Sequence, residues 1–344
     1  MGIVGLVTRD PALVILSEDP LNAETRLSAI DAPIVPASRF FIRSHFSIPA
    51  LPDRLRVNGA VRDRLTLSLD DLRALPARTL TATLECAGNG RGLLEPRVRG
   101  EQWGLGAVGT AEWTGVPLRT VLERAQPSRG AIEVLCAGAD GGRVPEQDRP
   151  LAYERSLPLT KAMHEDTLLA YAMNGRLLPR DHGAPVRLVV PGWYGMASVK
   201  WLARLSVLDR PFRGYFQRER YVVDGRPLGA MATRAIVAWP GDGEVIVRGR
   251  HEIRGYAWSG ETAVLSVEVS VDGGASWDRA DLAGDPQPYA WREWRYSWDA
   301  SEVRGVTILA RAYDANGRGQ PERARPNPLG YANNAIQRVR VRVG

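Results

Sequence analysis

The spacing of apolar residues changes character near residue 227, and that change divides the chain. Before it, short strand-like blocks alternate with a few helical stretches. "LRVNGAV" (55–61) reads as a strand and turn, and "SLDDLRAL" (68–75) as a short helix capped by its serine. "TLTATLEC" (79–86) is a strand, and "PLRTVLERAQP" (117–127) a helix closed by proline. "AIEVLCAGADGG" (131–142) is a strand running into a glycine turn. "TLLAYAMNGRLLP" (167–179) has helical spacing with "NG" as its exit. "APVRLVVPGWYG" (184–195) reads as a buried strand, continued by strand-like alternation through "ASVKWLARLSVLD" (197–209). Residues 1 to about 50 are proline-rich and read as irregular.

After Pro227 the pieces are strand-sized, divided by Gly, Asp and Asn turns, and end in the period-two run "NNAIQRVRVRV" (333–343). No helical run interrupts them, which predicts an all-β sandwich. The fold class is therefore α+β: a mixed domain over 1–228 followed by an all-β domain over 229–344. Within the latter, "SVDGGASW" (270–277) resembles the Asp-box hairpin of sialidase-like proteins, and a turn-stabilising role is favoured for it.

Composition narrows the class. A chain of 344 residues, 44% hydrophobic and 24% charged, is an ordinary globular one of about two domains. It has no apolar run long enough to span a bilayer. "MGIVGLVTRDPALVILSEDP" lacks a basic n-region or twin arginine, so a cytoplasmic location is expected, periplasmic only if a leader precedes it. Two cysteines and four scattered histidines give neither a disulfide framework nor a zinc spacing. The formal charge of +6 comes from arginines spread along the chain, with lysine only at 161 and 200. Without a basic block this argues against nucleic acid and for small anionic ligands, which guanidinium forks hold at two points.

Four segments carry candidate chemistry. Cys86 stands where a strand gives way to the glycine loop "CAGNGR", with Arg91 five residues on. A cation nearby would favour a thiolate, for a nucleophile or a metal. A buried core cysteine is the third option, and these residues leave all three open; Cys136 takes the core role comfortably. In "FFIRSHF" (40–46), Arg43 and His45 are expected to share a strand face. In "DHGAPVRLVVPG" (181–192), His182 is expected on an exposed turn, with Arg187 inside an apolar strand where it must find an anion or several acceptors. "GWYGMASVKW" (192–201) adds Ser198 and Lys200. Converging, these cations would form a deep basic pocket.

Taken in order, "FFIRSH", "TLECAGNGR", "WGLGAVGTAEWTGVPL", "LLAYAMNG", "LPRDHGAPVRLVVPG" and "SVKWL" resemble the sulfite oxidase family of molybdenum enzymes, and the tail resembles that family's immunoglobulin-like dimerisation domain. The resemblance implies one molybdenum per chain, carried by a single pyranopterin dithiolene (molybdopterin), with Cys86 as protein thiolate ligand. It implies that Arg43, His45, Asp140, His182, Arg187, Ser198 and Lys200 hold the pterin. Arg43 and Arg91 would line the substrate anion site. Tyr221 would stand beside the metal, with Tyr215 as competitor.

Oxidation of sulfite to sulfate by oxygen-atom transfer is the implied activity. Electrons would pass to an external acceptor such as cytochrome c, because the chain carries no CxxCH haem motif. A homodimer through the second domain is also implied. One departure stands out: in "NPLGYANNA" the chain has Leu329 where family members carry a substrate arginine, with Arg323 and Arg325 nearby. Nitrate or sulfoxide reduction on the same scaffold is the related alternative. A non-enzymatic anion- or glycan-binding sandwich is the alternative from another class.

Overall fold

The computed structural model describes residues 10–344 apart from 261 and 303. The first nine positions of the N-terminal segment read above for a leader lie outside the described residues. Two five-stranded sheets build the first domain. One runs Arg176–Leu177, Leu168–Met173, Val108–Pro117, Arg78–Glu85, with Arg187–Val189 also on Leu168–Met173. The other runs Leu65–Leu67, Leu55–Gly59, Leu202–Leu208, Glu133–Gly142, Leu151–Pro158. Its pairing of Leu55–Gly59 with Leu202–Leu208 is parallel, so the chain between them supplies the first sheet and returns.

Most of the expected elements are present. Ser68 caps the helix Leu69–Arg73 in a reciprocal box with Asp71. The helix Leu118–Ala125 buries Leu118, Val121, Leu122 and Ala125 on one stripe.

Three expectations fail. The segment 167–179 is a hairpin, Leu168–Met173 with Arg176–Leu177, and not a helix. Asn174 and Gly175 both take positive φ (51° and 72°), the geometry of a tight hairpin turn, and sheet neighbours bury most of Leu168–Met173. Apolar residues buried on both strand faces give the continuous run that also suits a helix. Residues 13–25 form a hairpin, Leu13–Glu18 with Leu21–Thr25, inside the stretch expected to be irregular. Residues 40–46 are not a regular strand: only Ile42 bridges to Ala23, and the segment is held by its phenylalanines in the core.

The second domain is a sandwich of a four-stranded sheet (Arg234–Trp239, Gly249–Trp258, Arg292–Ala300, Asp281–Leu282) and a five-stranded one (Val245–Ile246, Arg338–Val343, Gly305–Asp314, Val264–Ser270, Asp278–Arg279). Ile253, Val267, Trp294, Ile308 and Val339 fill its interior. Ile236, Tyr256, Trp258, Trp291 and Tyr331, among others of this domain, join the core of the first domain instead. Trp291 donates its backbone N–H to Thr83 Oγ1 (2.8 Å) and Thr83 donates to the Tyr289 carbonyl (2.8 Å). The two domains therefore meet along the strand Arg78–Glu85, which ends just before Cys86.

The "SVDGGASW" hairpin closes on itself. Asp272 accepts from the Ser276 N–H (3.0 Å) and from the Ser276 and Ser270 hydroxyls, and these bonds hold its carboxyl well below the usual range.

Candidate functional site

Cys86 is the first residue past the strand Arg78–Glu85, and the whole turn Cys86–Arg91 is buried rather than open. The glycines give clearance to arginines. A Cβ on Gly88 would lie 2.7 Å from Arg91 Nη1, and one on Gly90, at φ +83°, would lie 2.8 Å from Arg234 Nη2. Arg91 itself is buried. It donates from Nε to the Leu329 carbonyl (2.9 Å) and from Nη1 to the Glu101 carbonyl (3.0 Å), and its guanidinium lies 5.0 Å from the Tyr331 ring centre. Burial pushes the Cys86 thiol pKa up, opposed by Arg43 and Arg91.

Two adjoining clefts meet at this sulfur. The larger, between the two sheets, spans about 680 Å³ including its open mouth. Arg43, His45, Cys86, Asp140, His182, Arg187, Ser198, Lys200 and Tyr221 all line it, so segments up to 178 residues apart in sequence converge on one space. A register shift in the strand Glu133–Gly142, between Ala137 and Gly141, marks the stretch that carries Asp140 to the wall. There Asp140 Oδ1 is buried without a hydrogen-bond partner, and burial raises its pKa to about 6.

His182 is buried, not on an exposed turn as expected. Nε2 meets the Ala37 carbonyl at 2.8 Å, and burial drops its pKa to about 3, so the ring is neutral. Arg187 donates to the His182 and Ser198 carbonyls (3.0 and 3.1 Å), yet burial still pulls its pKa to about 9. Lys200 donates to Ser44 Oγ (2.7 Å) and the Asp181 carbonyl (2.9 Å), and burial with Arg187 close by drops its pKa to about 7. A cleft that weakens its own cations in this way is built to receive negative charge.

His45 joins the two clefts. Burial and then Arg43 push its pKa well below 6.5, so the ring is neutral. Arg43 Nη2 stands 3.0 Å from Nδ1 and 3.2 Å from Nε2, and Nε2 is hydrogen-bonded to the Tyr221 hydroxyl at 2.6 Å. Tyr221 sits at φ 53° and stacks on Tyr331 at 5.0 Å. Tyr215, its competitor, lines neither cleft and donates to Glu146 (3.0 Å).

The smaller cleft, about 430 Å³, is lined by Arg43, Arg91, Arg99 and Arg220, with Glu101 as its acidic member. Arg323 and Arg325 are exposed, and Arg325 pairs with Asp224 at 2.8 Å. Neither lines the cleft. Leu329 gives its carbonyl to Arg91 and packs its half-buried side chain on the main core.

Residues 45–216 match the oxidoreductase molybdopterin binding domain, and residues 226–344 match the Mo-co oxidoreductase dimerisation domain. The mitochondrial sulfite oxidase of Mus musculus is 38% identical over 367 residues, covering 97% of this chain and 66% of that protein. The sulfite oxidase of Arabidopsis thaliana is 32% identical over 98% of this chain and 95% of its own length. The chain belongs to the sulfite oxidase family of molybdopterin oxidoreductases. Among solved structures, the sulfane dehydrogenase SoxCD of Paracoccus pantotrophus superposes with a TM-score of 0.83 at 30% identity, over 98% of this chain and 87% of that one. The chain thus spans just under two thirds of the mouse relative's length.

The residues present suit the family's cofactor. Among the described residues no cluster of three His, Cys, Asp or Glu side chains could hold a bare metal ion. One thiol at the junction of two clefts fits a metal that arrives with its own sulfur ligands. The unpartnered Asp140 oxygen and the cations opposite it fit a polar, anionic pterin.

Sequence reasoning missed Arg99, Arg220, Tyr153 and Tyr331, which line the clefts. It also missed Arg155, which is 1% exposed and donates to the Phe216 and Leu228 carbonyls, bracing both sides of the Tyr221 loop. A single arginine among alternating strand residues gave the only signal for it.

Proposed function

We propose that this protein oxidises sulfite to sulfate and passes the electrons to an external acceptor such as cytochrome c. The observation that carries this reading is the cleft of four arginines opening onto Cys86. When bound, the molybdenum cofactor supplies the oxygen-atom transfer and accepts two electrons. Cys86 would ligate the metal. Arg43, His45, Asp140, His182, Arg187, Ser198 and Lys200 would hold the pterin, Asp140 accepting from its N–H groups and the cations facing its phosphate. Arg91 and Arg43, with Arg220 at the mouth, would bind the substrate oxyanions in a site with little water. The Tyr221 hydroxyl, held 2.6 Å from His45 Nε2, would donate to an oxygen on the substrate side.

Residues 229–344 would form a homodimer interface, and the cytoplasmic location and the division at 228 stand as part of the same proposal. The glycan-binding alternative has little to draw on, because the Asp272 carboxylate is already spent inside its own loop.

A second reading has a specific basis. Leu329 removes one guanidinium from the expected anion site, and the SoxCD likeness covers nearly the whole chain. A larger sulfur anion of lower charge density would suit that pocket. Steady-state kcat/KM for sulfite, thiosulfate and nitrate, with ferricyanide or cytochrome c as acceptor for the two oxidations and a reduced dye as donor for nitrate, separates the readings. Sulfite should lead by at least tenfold. Thiosulfate in first place would favour the second reading, and nitrate reduction would overturn both.

A further inference from the structure

The turn that carries Cys86 is gripped from the second domain. Glu85, the residue before the cysteine, is buried, and its carboxylate accepts from Arg234 Nη1 (3.0 Å), Trp258 Nε1 (2.9 Å) and Asn89 Nδ2 (3.0 Å). Arg234 and Trp258 belong to neighbouring strands of the sandwich, and Asn89 to the cysteine turn itself. The same Arg234 Nη1 also donates to the Asn89 carbonyl (3.2 Å).

Two further bonds come from the last loop of the chain. Asn333 Nδ2 donates to the Gly90 carbonyl (2.8 Å), and the Ala332 N–H donates to the Ala87 carbonyl (2.8 Å). Three carbonyls of the turn 86–91 are thus held by groups more than 140 residues away. On the first-domain side, Asn89 Oδ1 accepts from the Ala107 N–H (3.2 Å) and Ala107 accepts from the Cys86 N–H (2.8 Å).

We propose that Glu85 and Arg234 are a cross-domain positioning pair, which fixes the Cys86 turn for its metal. This rests on the reading of Cys86 as ligand. The chemistry is that of any outer shell: a ligating thiolate is tuned by the charges and bonds one residue away. Arg234 pairs with the Glu85 carboxylate and, through the Asn89 carbonyl, sets the turn's path. The sandwich is then a working part of the metal site and not only a surface for a second copy.

The test uses the molybdenum-loaded enzyme and three variants: Glu85→Gln, Arg234→Met and the two together. Rates are normalised to molybdenum content, and the thiolate-to-metal charge-transfer absorption is recorded for each. Arg234→Met should shift that band and lower kcat about tenfold, with KM for sulfite within about twofold. The double variant, which leaves no unpaired charge, should recover the band and bring kcat to within about threefold of the parent. Should Arg234→Met not accumulate as folded protein, Glu85→Gln carries the same criteria, since it keeps the size of the side chain while turning one accepting oxygen into a donor and removing the charge that Arg234 meets. A merely structural pair would lower the melting temperature in every variant and leave band and kcat unchanged in the folded, loaded fraction, and that result overturns the proposal. Failure of the underlying reading looks different: parent enzyme without molybdenum, or a band that survives Cys86→Ser.

Discussion

Lys200 is where the charge of the cleft can be weighed. Its ammonium is buried, bonded to Ser44 Oγ and the Asp181 carbonyl, and 4.1 Å from the Trp201 ring centre. Burial first, and Arg187 second, lower its pKa from 10.5 to about 7. Between those values the unfolded chain holds a proton that the folded chain has released, so stability rises with pH across that window. One proton corresponds to a slope of up to about 1.4 kcal/mol per pH unit, or about 5 kcal/mol over the window. Below pH 7 the full penalty is present in the cofactor-free protein, and an anion bound in the cleft removes it.

Lys200→Met keeps the packed stem and deletes the charge. It should flatten the pH dependence while leaving the Asp181 carbonyl short of a donor, at about 1–3 kcal/mol. The assay is urea unfolding of cofactor-free protein, from cells unable to make the cofactor, at pH 7, 8, 9 and 10. The difference in slope between parent and variant isolates this lysine from other titrating groups. Equal slopes would refute the reasoning, because the ammonium would then carry no penalty worth relieving.

On the proposed reading, Arg91→Met removes a charge-assisted contact to substrate, worth about 1.5–3 kcal/mol, so KM for sulfite should rise about ten- to a hundredfold at unchanged molybdenum content. A matching loss of molybdenum would make Arg91 structural. Tyr221→Phe keeps the stack on Tyr331 but removes the hydroxyl held by His45, and kcat should fall about tenfold, equivalent to about 1.4 kcal/mol, with KM nearly constant; an unchanged kcat would exclude the hydroxyl from the reaction. Arg155→Met strips the buried Phe216 carbonyl and the half-buried Leu228 carbonyl of a donor and should cost about 2–5 kcal/mol in urea unfolding; a loss under about 1 kcal/mol would mean that the Tyr221 loop does not depend on it.

Local signals carried the fold a long way. Ser68 announced its helix, the period-two tail announced its strand, and the change of rhythm near 227 announced a second domain. Where a segment is buried on both faces, the signal is lost. Leu168–Met173 has the apolar density of a helix because sheet neighbours cover it on both sides, and only the paired positive φ of Asn174 and Gly175 decides for a hairpin.

At the site, the residues that carry chemistry were legible because charge inside apolar runs is costly and needs a reason: Arg43, Arg187 and Lys200 all meet one cleft. The glycines of the turn make room for side chains: a Cβ on Gly88 would meet Arg91, and one on Gly90 would meet Arg234. Nothing in the sequence could show this, since Arg234 lies 149 positions from the Glu85 it neutralises. Arg220 was hidden for a similar reason, in a run of charged residues where exposure is the usual state.

Molybdenum K-edge X-ray absorption tests the central claim most directly, because it counts sulfur atoms around the metal. The parent protein should show molybdenum with three sulfur neighbours, two from one dithiolene and one from Cys86. The Cys86→Ser variant, folded and still binding the pterin through the basic cleft, should show two. Three sulfurs in both proteins, or a parent protein with no molybdenum, would contradict it.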